Sequence, residues 1–105
     1  MSRKGVGLRT ACRLSDLAEG RGKLVRLGGR DIALFRLGDR VLALDDACPH
    51  RGGSLSCGEQ RGPVVHCPVH AWPVELETGR CPEVPGAQVR TYRVRVEGDW
   101  VRVEL

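Results

Sequence analysis

The chain is poor in aromatic residues: Phe35, Trp72, Tyr92 and Trp100 are the full set, 4% of 105 residues. A core with so few rings must rest on Val, Leu, Ile and Ala. The same scarcity leaves little for bases to stack on, and the net charge of +4 is spread without a dense Lys/Arg block. Both features argue against a nucleic-acid partner; the mild positive charge instead suits a solvated surface able to steer an acidic protein. No apolar run approaches the roughly 20 residues of a membrane helix. Residues 1–10 carry Arg3, Lys4 and Arg9 but lack the apolar stretch of a secretory signal. The expectation is a cytoplasmic protein with no membrane partner. In a reducing compartment its five cysteines, an odd number, are ligands or thiols rather than a disulfide set.

Long helical periods, internal repeats and low-complexity linkers are also missing. What is present reads as strands. Residues 24–27, the Gly28-Gly29 pair and residues 31–37 form a predicted hairpin. Another apolar run, 41–44, follows Gly38-Asp39. These runs are almost continuously apolar, as in strands covered on both faces. Near the end Tyr92, Val94 and Val96 alternate with charged residues, Gly98-Asp99 turns, and Val101, Val103 and Leu105 alternate again. That is a hairpin with one buried face. Residues 15–19 suit a single helical turn, capped by Ser15 and ended by Gly20.

Proline is absent outside residues 45–85, which hold all six Pro, all three His and four of the five Cys. Rigid turns and metal-binding side chains are thus confined to one stretch. The expected architecture is a single domain, 1–105, of all-β class. A scaffold from residues before about 45 and after about 86 carries a loop-rich inserted subdomain, about 45–85.

Within that stretch, Cys48-Pro49-His50 and Cys67-Pro68-Val69-His70 are separated by 16 residues. Each motif sets one thiol and one imidazole on a short loop stiffened by Pro. Soft thiolates with imidazoles suit zinc or an iron–sulfur centre. Zinc would take the four as a tetrahedral site in a structural or interaction module. Its familiar fingers, however, keep Cys with Cys and His with His, whereas each loop here mixes the two. Mixed loops suit a two-iron cluster in which one iron takes both Cys and the other both His, the arrangement of Rieske centres. Cys48, His50, Cys67 and His70 are therefore the candidate ligands. His66 lies outside both motifs and reads as a strand-end histidine; Trp72 reads as a cluster shield or a core aromatic. Cys12, Cys57 and Cys81 read as buried or half-buried thiols. Gly52 and Gly53 suit a tight turn that lets backbone N–H groups approach the cluster.

The pattern C-x-H, sixteen residues, C-x-x-H resembles the Rieske family signature. Cys48 to Ser56 is similar to the family's first cluster loop. Cys67 to Trp72 with Glu75-Leu76-Glu77-Thr78-Gly79 is similar to the second loop and the hairpin after it, and residues 82–85 sit where the family has a proline-bearing loop. The resemblance implies the Rieske fold, an antiparallel β-sandwich or barrel base with an inserted cluster-binding subdomain, and a [2Fe–2S] cofactor. It also implies an electron-transfer component that is not catalytic alone and works with a redox partner protein. No Ser/His/Asp set, phosphate loop or nucleotide fingerprint suggests chemistry of its own.

Two groups of the family are this small. The ring-dioxygenase ferredoxins place an aromatic between the second-loop ligands; here that residue is Val69, and Trp72 follows His70 by two. His70, Trp72, Leu76, Thr78 and Gly79, with the run 89–94, are more similar to the small subunit of assimilatory NAD(P)H-dependent nitrite reductase. One departure is Val74-Glu75, where that group commonly has Phe-Asp. High-potential members carry a disulfide at positions occupied here by Gly53 and Val69, and hydrogen-bond donors starting where Ala71 stands. The resemblance therefore implies a potential at the low end of the class, about −150 to 0 mV. Were the compartment oxidising, Cys57 could pair with Cys81.

Overall fold

The computed structural model describes residues 7–48, 53–69 and 71–105. All its named strands pair antiparallel, in three sheets. In chain order they are β1 (Leu8–Arg13), β2 (Lys23–Leu27), β3 (Arg30–Leu37), β4 (Arg40–Asp45), β5 (Glu59–Arg61), β6 (Val64–His66), β7 (Pro73–Glu75), β8 (Thr91–Tyr92), β9 (Val94–Glu97) and β10 (Trp100–Glu104). The sheets run β1-β10-β9, β2-β3-β4-β8 and β5-β6-β7. The all-β class and antiparallel base expected from sequence are what the chain adopts. No helix among the described residues is long and apolar enough to cross a membrane.

The sheet β2-β3-β4-β8 divides two cores. Ile32, Ala33, Leu34 and Phe35 on β3 are all buried, and successive side chains point to opposite faces. Ile32 and Leu34, with Val41 and Ala43 of β4, pack against Cys12, Leu17, Val101 and Val103. Ala33 and Phe35, with Leu44, pack the other way, against Cys48, Leu55, Val65, Cys67, Val74, Leu76, Cys81 and Val89. The continuous apolar run is therefore a strand with a hydrophobic core on each side. The second core is the one that carries the cysteine loops.

Two local expectations are corrected. The turn near Ser15 is a 3-10 helix at Leu14–Asp16 whose preceding residue is Arg13. Asp16, not Ser15, caps it, accepting the Arg13 N–H at 3.0 Å. Ser15 is engaged far along the chain: its N–H and hydroxyl donate to the Asp99 carboxylate at 3.1 and 3.0 Å. The expected strand from Tyr92 to Val96 breaks at Arg93. Tyr92 belongs to β8, opposite Ala43 of β4, while Val94 begins β9, opposite Val103. The Tyr92 hydroxyl donates to Asp45 at 2.5 Å, which ties the end of β4 to β8.

Candidate metal centre

The segment after β4 turns back on itself through local bonding. Ala47 bridges Ser54, the Cys48 N–H donates to the Gly53 carbonyl at 2.7 Å, and the Leu55 N–H donates to the Asp46 carbonyl at 2.7 Å. Leu55, fully buried, anchors the return arm in the second core. The first loop is thus a short hairpin with Cys48 on its outgoing arm. His50, with Pro49, Arg51 and Gly52, lies outside the described residues.

The second loop is tighter. β6 and β7 pair with Val65 opposite Val74, and residues 67–72 join them. The Cys67 N–H donates to the Trp72 carbonyl at 2.9 Å, and the Ala71 N–H donates back to the Cys67 carbonyl at 2.6 Å. Closing so small a turn puts Ala71 at φ 58°, in the left-handed region. This conformation costs an L-residue about 1–2 kcal/mol. His70 is outside the described residues.

The two loops touch. A Cβ placed on Gly53 would stand 3.4 Å from the Cys67 Sγ and 2.6 Å from the Val69 Cγ2. Only glycine lets the first loop lie this close to the second, and that contact, rather than a positive φ, is what position 53 requires. Cys48 is 3% exposed and Cys67 0%, in the same hydrophobic cluster. Two soft sulfur donors on facing loops in an apolar surround match the thiolate half of a Rieske cluster. Among the described residues alone, no three Cys, His, Asp or Glu side chains are grouped for a metal; the proposed imidazole half falls on His50 and His70.

A third segment closes over this core. Gly79, at φ 77°, lies so near the Val89 backbone that a Cβ would meet its carbonyl oxygen at 2.0 Å. The Val89 N–H donates to the Gly79 carbonyl at 2.8 Å, and Arg80 bridges Gln88. Between these ends Val84 and Ala87 pack onto the second core, while Pro82 and Pro85 are exposed.

Of the other singled-out residues, His66 does end a strand, β6, and its Nδ1 is buried without a hydrogen bond. Trp72 is half-buried. Cys12 and Cys81 are buried as expected, but Cys57 is exposed, because it ends a 3-10 turn, Leu55–Cys57, whose inward residue is Leu55. All five cysteines are described and none is in a disulfide. Burial pushes the Cys81 thiol above its ordinary value, and Cys67 nearby adds to the rise. Asp46, which sequence reasoning did not single out, is buried beside the first loop, where its carboxylate accepts the Ser54 hydroxyl and the Ser56 N–H.

The model of the Rieske [2Fe–2S] domain matches residues 8–93. The chain belongs to that family: its cofactor is a Rieske-type [2Fe–2S] cluster and its role is electron transfer. The chain is 31% identical to the ferredoxin component of the naphthalene 1,2-dioxygenase system of Pseudomonas aeruginosa, over 90% of this chain and 92% of the other. It is 35% identical to the 3-phenylpropionate/cinnamic acid dioxygenase ferredoxin subunit of Escherichia coli K12, over 90% and 91%. A crystal structure from Mycobacterium tuberculosis, provisionally described as the small subunit of an NADH-dependent nitrite reductase, superposes with a TM-score of 0.87 at 32% identity, covering 95% of this chain and 96% of that one.

Proposed function

We propose that Cys48 and Cys67 hold one iron of the cluster and His50 and His70 the other, and that the chain is the electron-transfer small subunit of an assimilatory NAD(P)H-dependent nitrite reductase. The observation that carries the ligand assignment is the contact of the two loops at Gly53, Cys67 and Val69. Bound there, a [2Fe–2S] cluster accepts and releases one electron at a time. The chain's residues supply the setting. Leu55, Val65, Val74 and Leu76 exclude water beneath the two cysteines. Pro68, Val69 and Ala71 face solvent on the second loop, the side from which a partner would approach. The rigid sheets fix the loop geometry. We read the chain as one cytoplasmic domain, with residues of about 45–85 as the cluster-binding unit.

The second-loop residues Trp72, Leu76, Thr78 and Gly79 favour the nitrite-reductase reading. The identity to the two dioxygenase ferredoxins favours a second reading, a ferredoxin that feeds a ring-hydroxylating oxygenase. One comparison separates them. The reduced protein is mixed in turn with the flavin- and sirohaem-bearing large subunit and with a ring-hydroxylating oxygenase. Reoxidation by the first, with nitrite consumed only in the complex, supports the main reading. Reoxidation by the oxygenase alone supports the second. A colourless protein with stoichiometric zinc, prepared anaerobically with iron present, would sink both.

A further inference from the structure

The inward side chain of β5 is an amide rather than an apolar group: Gln60 is 5% exposed, while Glu59 and Arg61 on either side are exposed. A polar group buried in this way is costly unless protein hydrogen bonds replace those to water. Here the partners come from three separate parts of the chain. Nε2 donates to the Arg36 carbonyl at 2.8 Å and to the Gly62 carbonyl at 3.1 Å, and Oε1 accepts the Gly20 N–H at 3.0 Å. The Arg36 carbonyl needs such a partner. β2 begins at Lys23, opposite Leu34, so β3 runs on past the end of its ladder with β2. Arg36, two residues beyond Leu34, turns its carbonyl to that same edge, and the Gln60 amide stands where the neighbouring strand would have continued. Backbone pairing adds to the join, since Arg21 bridges Glu59.

We propose that Gln60 is a positioning residue of the cluster, whose amide fixes the sheet β5-β6-β7 on the sheet of β3 and β4 and so sets the second loop against the first. The proposal rests on the assignment of Cys48 and Cys67 as ligands. The two thiols belong to different sheets: Cys48 lies shortly after β4, whereas Cys67 follows β6 directly. The distance between them therefore depends on how β5-β6-β7 seats on its neighbour. Val65, Val74 and Leu76 supply apolar contact there, packed in one core with Ala33, Phe35 and Leu44. Apolar contact is non-directional and lets so small a sheet shift. Hydrogen bonds from one amide to three places do not: a buried polar group that is fully satisfied specifies one arrangement.

Gln60→Met tests this on the whole holoprotein, because methionine keeps much of the length and volume and loses all three hydrogen bonds. Two quantities are read: amide exchange along the chain, and the rate at which an iron chelator bleaches the cluster under anaerobic conditions. Losing the bonds and leaving the Gly20 N–H and the Arg36 carbonyl unsatisfied should raise exchange in residues 18–21 and 59–66 by about tenfold. Exchange in β1 and β10 should not change, and bleaching should quicken. Unchanged exchange would overturn the proposal, and so would a rise shared equally by β1 and β10, which is a loss of global stability alone. Local exchange with unaltered bleaching would overturn it too, since the second loop would then not depend on the tie. If Gln60→Met yields no holoprotein, Gln60→Glu decides: its carboxyl still accepts the Gly20 N–H but can no longer donate to both Arg36 and Gly62. Exchange at 59–66 should then rise while Gly20 keeps its protection; no rise at 59–66, or one shared with β1 and β10, would overturn the proposal. Failure of the ligand assignment shows itself separately, as a Rieske spectrum that survives Cys67→Ala.

Discussion

Replacing Gly53 by Ala puts a methyl group where the second loop already is. The new carbon would stand 2.6 Å from the Val69 Cγ2, well inside van der Waals contact, and 3.4 Å from the Cys67 Sγ. No left-handed backbone is involved at this position, so the whole effect is steric. Overpacking of this kind costs about 1–3 kcal/mol, a large share of the 5–15 kcal/mol that holds a small domain together. Val69 is 46% exposed, so Val69→Ala alone should cost under about 1 kcal/mol. The double variant removes the clashing Cγ2 and leaves the Val69 Cβ at 3.7 Å, an ordinary contact. It should therefore be more stable than Gly53→Ala alone, with a coupling of about 1–2 kcal/mol. Anaerobic thermal unfolding of the holoprotein, followed by visible circular dichroism at one scan rate, reads this out. A shift of 1 kcal/mol moves the midpoint by about 4–8 °C in a domain near this size. If the double variant melts no higher than Gly53→Ala, the loops do not meet through Val69 and the site geometry is wrong.

Three further outcomes are expected of the same fold. The 3.7 Å between the Val69 Cβ and a Cβ on Gly53 lies near the disulfide mean of about 3.8 Å, so Gly53→Cys with Val69→Cys should bridge on mild oxidation, as a thiol count would show. Ala71→Gly should stabilise the holoprotein by about 1 kcal/mol in the same melt, by relieving the φ of 58°. Burial, helped by the Asp45 hydrogen bond and opposed by Arg30, raises the Tyr92 phenol above its ordinary value. The neutral phenol is thus the form the fold favours; its contribution is complete below about pH 10 and is lost as pH rises through the raised value. Tyr92→Phe should accordingly flatten the loss of stability between pH 9 and 11 in urea unfolding.

The strands that the sequence revealed are those with strong local pattern. The hairpin of β2 and β3 has a two-glycine turn, and β3 has an unbroken apolar run that resolves into two alternating faces. β1 was not legible as a strand because it pairs with β10 at the far end of the chain, and β5, β6 and β7, although they pair locally, are each only three residues long, too short to show an alternating pattern. The helical turn was misplaced because Ser15, a good cap in isolation, is drawn to Asp99 across the sheet. For the site, residue type and spacing singled out Cys48 and Cys67, and the structure buries both in one hydrophobic cluster. The glycine-against-valine contact and the hydrogen bonds that Asp46 accepts from Ser54 and Ser56 were invisible for a physical reason: both join residues through space, at places where the sequence shows only a small residue and an ordinary acid.

The most direct test of the account is the EPR spectrum of the dithionite-reduced protein and three single variants, each measured with its iron content. Wild type should bind about two irons per chain and give the rhombic Rieske signal. His66→Ala should keep that signal, whereas His50→Ala and His70→Ala should each lose it with their iron. A Rieske signal that survives both His50→Ala and His70→Ala, or that vanishes only with His66, would contradict the ligand set and with it the reading of the two loops.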